Sequence, residues 1–135
     1  YLLVFLGSFL LLIQQIKENQ RKIAHLLKEN QDMKRSILEI ISQRKLVKIP
    51  YEDILYIESF SDHICIHTPK QKITSKEKIS HLDARLPDIF IRIHRSFIVN
   101  MEHIAQVSYD EVVVGEISLN IGRSYRQKVK EHFNR

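Results

Sequence analysis

Residues 90–100 read Phe90-Ile91-Arg92-Ile93-His94-Arg95-Ser96-Phe97-Ile98-Val99-Asn100. Apolar residues recur through this run in the alternation of a strand, so it is expected to enter a β-core. A block of donors, Arg92, His94, Arg95 and Ser96, breaks the alternation. Arginine, histidine and hydroxyl groups set so close together suit phosphate oxygens and purine edges. The same residues also read as a solvated strand end with one satisfied histidine, and composition alone leaves both readings open.

On either side of this run the period of hydrophobicity is two. Leu46-Val47-Lys48-Ile49 and the stretch from Ile54 to Phe60 read as strands around a turn at Pro50 to Asp53. His63-Ile64-Cys65-Ile66-His67-Thr68 alternates strictly, and Lys72-Ile73-Thr74 closes a hairpin across Pro69-Lys70-Gln71. Thr74-Ser75-Lys76-Glu77 has the capping-box pattern, predicting a short helix with Ile79, Leu82 and Leu86 on one face, stopped by Pro87. Beyond the central run come a strand over Ile104 to Tyr109, a hairpin through Val112 and Ile117 around Gly115, and a short basic terminal helix. The expected fold is mainly β, short-stranded with one or two short helices, over residues 46–135, preceded by a long N-terminal helix.

That N-terminal part divides in two. Tyr1 to Ile13 carries no charge and is almost wholly apolar, yet a bilayer span needs about 20 such residues. The chain opens on Tyr1 and not Met, so residues 1–13 are expected to be the C-terminal part of a transmembrane helix in a longer protein. Lys17, Arg21, Lys22 and Lys28 follow directly, which places the rest of the chain in the cytoplasm by the positive-inside rule. A buried helix of a soluble fragment is the alternative. Residues 14–45 lack Pro and Gly and read as one helix with a heptad seam: Ile16, Ile23, Asn30 and Ile37 at a, Asn19, Leu26, Met33 and Ile40 at d. Ile at a, Leu at d and one Asn at a specify a parallel homodimeric coil, with Glu29 and Lys34 set to pair between chains. Phe5, Phe9 and Leu12 continue the seam upward; a single amphipathic helix folded back on the domain is the competing reading.

Net charge is +5 over 135 residues, and it is unevenly placed. Residues 1–45 hold eight Lys/Arg against four Asp/Glu, and residues 46–135 hold thirteen against twelve. The β domain is therefore nearly neutral, and any polyanion binding must come from local patches. One cysteine, Cys65, makes no internal disulfide and fits a reducing compartment. His63, Cys65 and His67 share a strand face, but zinc wants three or four ligands and no second Cys exists, so Cys65 reads as core filler and no metal is expected. With three glycines and no phosphate loop, nucleophile elbow or zinc-protease motif, neither catalysis nor a cofactor is expected. Three polar sites stand at the edges of apolar elements: Ser61-Asp62-His63, His94-Arg95-Ser96 and Arg123-Ser124-Tyr125-Arg126. Brought to one surface, they would offer guanidinium forks for guanine and phosphate.

The residues also carry a resemblance. Asp53-Ile54-Leu55-Tyr56-Ile57-Glu58-Ser59 resembles the I-x-Y-I-E strand that opens LytTR domains, and residues 90–100 resemble that family's F-x-R-I-H-R-S-Y/F-I-V-N hallmark. Residues 121–126 occupy the place of its P-I-S-R-x-Y/R segment, but lack the Pro and have Gly122 where Ser is common. The resemblance covers residues 46–135. It implies an elongated β domain of a bacterial transcription regulator that inserts loops into successive major grooves of double-stranded DNA. By position it implies base contacts at His63, Arg95 and Arg123, and backbone contacts at Lys72, Ser96, Ser124 and Arg126. Membrane-tethered members of the family share the preceding apolar helix, and its regulators bind paired direct repeats at promoters, which a homodimer through residues 14–45 would suit. Two other classes stay open: a membrane-tethered β-module that binds a protein or ligand, without DNA, and a signalling coil whose β-head has lost DNA binding.

Overall fold

The computed structural model describes residues 1–134, with the backbone alone for residues 32–35. The chain forms two units, residues 1–36 and the residues from Ile37 onward. The first is a single helix, α1 (Leu2–Arg35). By length and composition it is apolar enough to cross a membrane, and its apolar stretch is not buried. Ile16, Ile23 and Leu26 of the heptad seam are 48%, 57% and 58% exposed, so nothing in the single chain covers them. The expected pairing of Lys34, and Met33 at d, lie outside the described side chains.

The helix does not run to residue 45. It ends at Arg35, and residues 37–50 form a hairpin of β1 (Ile37–Ser42) and β2 (Lys45–Pro50), paired from Ile37↔Pro50 to Ser42↔Lys45. Ile37, Ile40 and Ile41 are β-branched and lose rotamer freedom in a helix, and Leu38 and Ile40 on one face of β1 are each 2% exposed. Ile37 and Ile40 matched the heptad frame by coincidence of spacing; Leu38, which the frame placed off the seam, was the discordant signal. The turn is a two-residue one with Gln43 at φ 50° and Arg44 at φ 67°. Such turns prefer Asn-Gly because both residues must adopt positive φ, which costs an ordinary L-residue about 1–2 kcal/mol.

The rest of the unit is built on a five-stranded antiparallel sheet of order β5-β4-β3-β7-β6. Its strands are β3 (Tyr56–Ser59), β4 (Ile64–His67), β5 (Lys72–Ser75), β6 (Phe90–His94) and β7 (Phe97–Asn100). The central run is thus a hairpin and not one strand. Helix α2 (Ile79–Arg85) joins β5 to β6. Its N-cap is Lys78, with no side-chain cap bond, so the expected capping box at Thr74 is not used. The ladder takes those residues instead: Thr74 pairs with Cys65, and the Ser75 hydroxyl donates to the Ile41 carbonyl at 2.7 Å. A second sheet, β8 (Ile104–Val107), β9 (Glu111–Val114) and β10 (Ile117–Asn120), precedes a 3₁₀ turn (Arg123–Tyr125) and α3 (Arg126–Phe133).

Both faces of the five-stranded sheet are covered, which is why all four residues of β4 are buried. On one face Ile57, Ile64, Ile66 and Ile98 meet Leu38, Ile40 and Ile49 of the first hairpin and Ile79 and Leu82 of α2. On the other, Tyr56, Ile91, Ile93 and Val99 meet Val112, Val114, Leu119 and Val129. Alternate residues of one strand serve opposite cores, as a period of two requires.

His67 sits at that second face, 8% exposed, stacked on the Tyr56 ring at 4.1 Å and 3.1 Å from the Glu58 carboxylate through Nε2. Burial pushes its pKa down, with the Glu58 bond opposing in part. The folded state then holds His67 neutral where the unfolded chain, titrating near pH 6.5, takes up a proton. Its contribution to stability is full above about pH 6.5 and declines as pH falls below it. Denaturant melts across that range should show His67→Gln flattening the decline; equal slopes for variant and parent would refute it.

Candidate nucleic-acid interface

The antiparallel order brings several strand ends to one rim. β3 ends at Ser59 where β4 begins at Ile64, which pairs with Ser75 at the end of β5. On the other side of β3, Glu58 pairs with Phe97 at the start of β7, and His94 ends β6. The loop carrying His63 and the turn carrying Arg95 therefore project from the same end of the sheet. A bond from the Ser59 amide to the Ser96 carbonyl, 2.8 Å, ties the two together.

Arg95 is exposed at the tip of the β6–β7 hairpin, and its neighbours hold the turn beneath it. Arg92 donates from Nη2 to the Arg95 carbonyl at 2.9 Å and from Nε to the His94 carbonyl at 3.4 Å. The Ser96 amide donates to Nδ1 of His94 at 3.0 Å, so the neutral ring carries its proton on Nε2. The ladder shifts register between Arg92 and His94, a bulge of the kind that re-aims a strand end. The donor block thus divides. Arg92 and His94 brace the turn from within, and the Arg95 guanidinium has no hydrogen bond or ion pair among the described residues.

Arg123 reaches the same rim from the C-terminal segment. The Gly122 amide donates to the Ile93 carbonyl at 2.8 Å, docking this segment on β6. A Cβ at Gly122 would lie 3.0 Å from Cδ2 of Tyr125 and 3.4 Å from Cδ2 of His94. Glycine here is a matter of close approach and not of backbone angle, since φ is −64°. The departure from the family pattern at this position thus lets the segment pack closely against His94. Arg123 and Ser124 are both exposed in the 3₁₀ turn that follows.

His63 stacks on Phe60 at 4.8 Å, with Nδ1 2.6 Å from an oxygen of Asp62. That bond holds the Asp62 carboxyl below the usual carboxylate range. With Nδ1–H directed at Asp62, Nε2 of the neutral ring is an acceptor suited to the amino groups of adenine or cytosine, while the arginines are donors suited to guanine. Three loops thus present unlike hydrogen-bonding groups along one edge.

Two of the expected backbone contacts are not brought to this rim in usable form. Lys72 pairs with His67 at the start of β5, three residues along the strand from Ser75 and so about 10 Å toward the opposite end. The Arg126 guanidinium lies 4.7 Å over the Tyr109 ring, donates to its hydroxyl at 3.5 Å, and has its Nε buried without a hydrogen-bond partner among the described residues. Ser96 and Ser124 do stand at the rim. Sequence reasoning passed over Arg44 and Lys76, which with Asp62 and His63 line an open cleft of about 520 Å³. Arg44 was hidden in the supposed helix, and Lys76 in the supposed capping box.

Residues 44–134 match the family model described as the LytTr DNA-binding domain. The chain belongs to that family. The LytTr family is defined by DNA binding and is not an enzyme class. Among its relatives is the transcriptional regulatory protein LytR of Staphylococcus aureus, 30% identical over 93 residues, covering 64% of this chain and 38% of that protein. The sensory transduction protein LytR of Staphylococcus epidermidis is 29% identical over 106 residues, covering 67% and 42%. The chain therefore spans about two-fifths of the length of these relatives. A solved LytTr DNA-binding domain from Bacillus cereus shares the fold with a TM-score of 0.63 at 23% identity, over 71% of this chain and 94% of that one.

Proposed function

We propose that the LytTr unit is the sequence-specific DNA-binding head of a transcription regulator. His63, Arg95 and Arg123 enter the major groove as base contacts, and Ser96 and Ser124 hold the backbone beside them. The observation that carries this reading is the convergence of three loops, remote in sequence, on one rim of the sheet. Charge supports it: the unit from Ile37 onward holds 15 Lys/Arg against 13 Asp/Glu, yet Arg44 and Lys76 share one cleft with Asp62 and His63, and Arg95 and Arg123 are exposed in the other two loops. A locally basic edge on a nearly neutral body favours docking in one orientation.

The helix sets how the heads are presented. The uncovered seam through Ile16, Ile23 and Leu26, with Asn30 at an a position, supports a parallel homodimer through residues 14–35, shorter than the coil first expected. Two heads in parallel suit paired direct repeats in a promoter. The apolar first turns of α1 support attachment to the bacterial cytoplasmic membrane, with the head on the cytoplasmic side where Lys17, Arg21 and Lys22 begin.

The test is enrichment of double-stranded DNA from a random pool by the full chain in neutral detergent micelles. A repeated motif should emerge, and affinity for it should fall steeply with salt. Recovery of no motif, with affinity indifferent to salt, would sink the reading and leave a membrane-tethered module for a protein or ligand.

A further inference from the structure

We propose that Arg44 in the β1–β2 turn and Lys76 after β5 form a second, sequence-independent arm of the DNA interface, gripping phosphates on the flank beyond His63. This rests on the DNA-binding reading and extends it to a hairpin whose first strand lies before the family match, which begins at residue 44.

Three observations carry the proposal. The cleft bounded by Arg44, Lys76 and His63 is open and continuous with the rim. Both cations are exposed, and neither makes an ion pair or hydrogen bond among the described residues. Asp62, the acid at this cleft, has an oxygen engaged by His63. The turn itself is the third. A hairpin that had only to reverse direction would be best served by Asn-Gly, yet Gln43 and Arg44 occupy the positive-φ positions. Strained backbone of this sort gathers where a side chain must be aimed.

Geometry sets what the arm can reach. Strands lie about 4.8 Å apart, so the end of β5 is about 14 Å from the end of β7. β1 belongs to the separate two-stranded sheet and meets the end of β5 through the Ser75–Ile41 bond. Arg44 and Lys76 therefore stand on the β5 flank, whose strand end is about 14 Å from the Arg95 turn, roughly four base-pair steps at 3.4 Å each. Contacts at that distance meet backbone flanking the bases that the loops enter. They are expected to add affinity without sequence preference.

The test measures anisotropy of a fluorescein-labelled mixed-sequence duplex with the full chain in neutral detergent micelles, across a salt series. Arg44→Ala with Lys76→Ala should make the slope of log affinity against log salt shallower by about 1.8, as two lost phosphate contacts require. The loss should be equal on a selected motif. A second variant separates this from damage to the fold. Gln43→Asn with Arg44→Gly relieves the turn, so its melting temperature should rise while affinity still falls. An unchanged slope in the alanine variant, beside salt-dependent binding by the parent, would overturn the arm and leave the DNA reading standing. Parental affinity for the Asn-Gly variant would remove Arg44 from it. A parent that binds no duplex in a salt-dependent way would remove both the reading and the arm.

Discussion

Arg123→Ala is expected to lose about 1–3 kcal/mol on a selected DNA motif and to relax base choice at one position. The size is that of the proposed two-pronged guanidinium contact to guanine, which an alanine would give up entirely. Arg123→Lys keeps the charge and loses the fork, so it should recover salt-dependent affinity and not discrimination. Arg95→Ala should behave alike at a second position, because its turn is held by Arg92 and His94 and survives loss of the side chain. Competition between selected and mixed-sequence duplexes gives the answer. Equal losses on both would show that Arg123 touches phosphate alone.

Asn100→Ala is expected to cost the fold more than any surface change. Asn100 is fully buried, donating from Nδ2 to the carbonyls of Ile54 at 2.9 Å and Tyr51 at 3.1 Å, and accepting from the Glu102 amide at 3.0 Å. One side chain thus fastens the 3₁₀ turn before β3 to the end of β7. Each buried group left without a partner costs about 1–3 kcal/mol, so the total is expected at roughly 3–5 kcal/mol. For a domain of about 100 residues that lowers the melting temperature by roughly 15–30 °C. Asn100→Asp keeps the acceptor but turns lone pairs toward two carbonyls, and should not rescue the fold. A loss under about 1 kcal/mol in urea melts would mean that water takes over these bonds.

Much of this molecule can be read from residue order, and the failures share a cause. The strands from Tyr56 onward follow their period of two, and the loops at His63, Arg95 and Arg123 stand out as polar breaks between apolar strands. Their meeting on one rim depends on strand order, which local pattern does not contain. Ile37 and Ile40 satisfied a heptad and a strand equally well, and no glycine marked the turn at Gln43 and Arg44. The position of Lys72 at the other end of β5 was not legible, because proximity in sequence is blind to which end of a strand a residue occupies. The contact of Arg126 with Tyr109 was not legible either, because nothing in its sequence neighbours announces that partner.

The pairing of β3 with β7 has a consequence for how a new chain matures. Tyr56 meets Val99 across the intervening β4, β5, α2 and β6, whereas β3–β4 and β6–β7 are neighbours in sequence. The local hairpins have little entropy of closure to overcome, and the distant pairing has much more, so it is expected to come last. His63 belongs to one of those hairpins and Arg95 to the other. A half-made molecule holds each loop but lacks the common edge on which the proposed DNA recognition rests. Competence then arrives in a single step, with the closing of the sheet, and a nascent chain is silent until that moment.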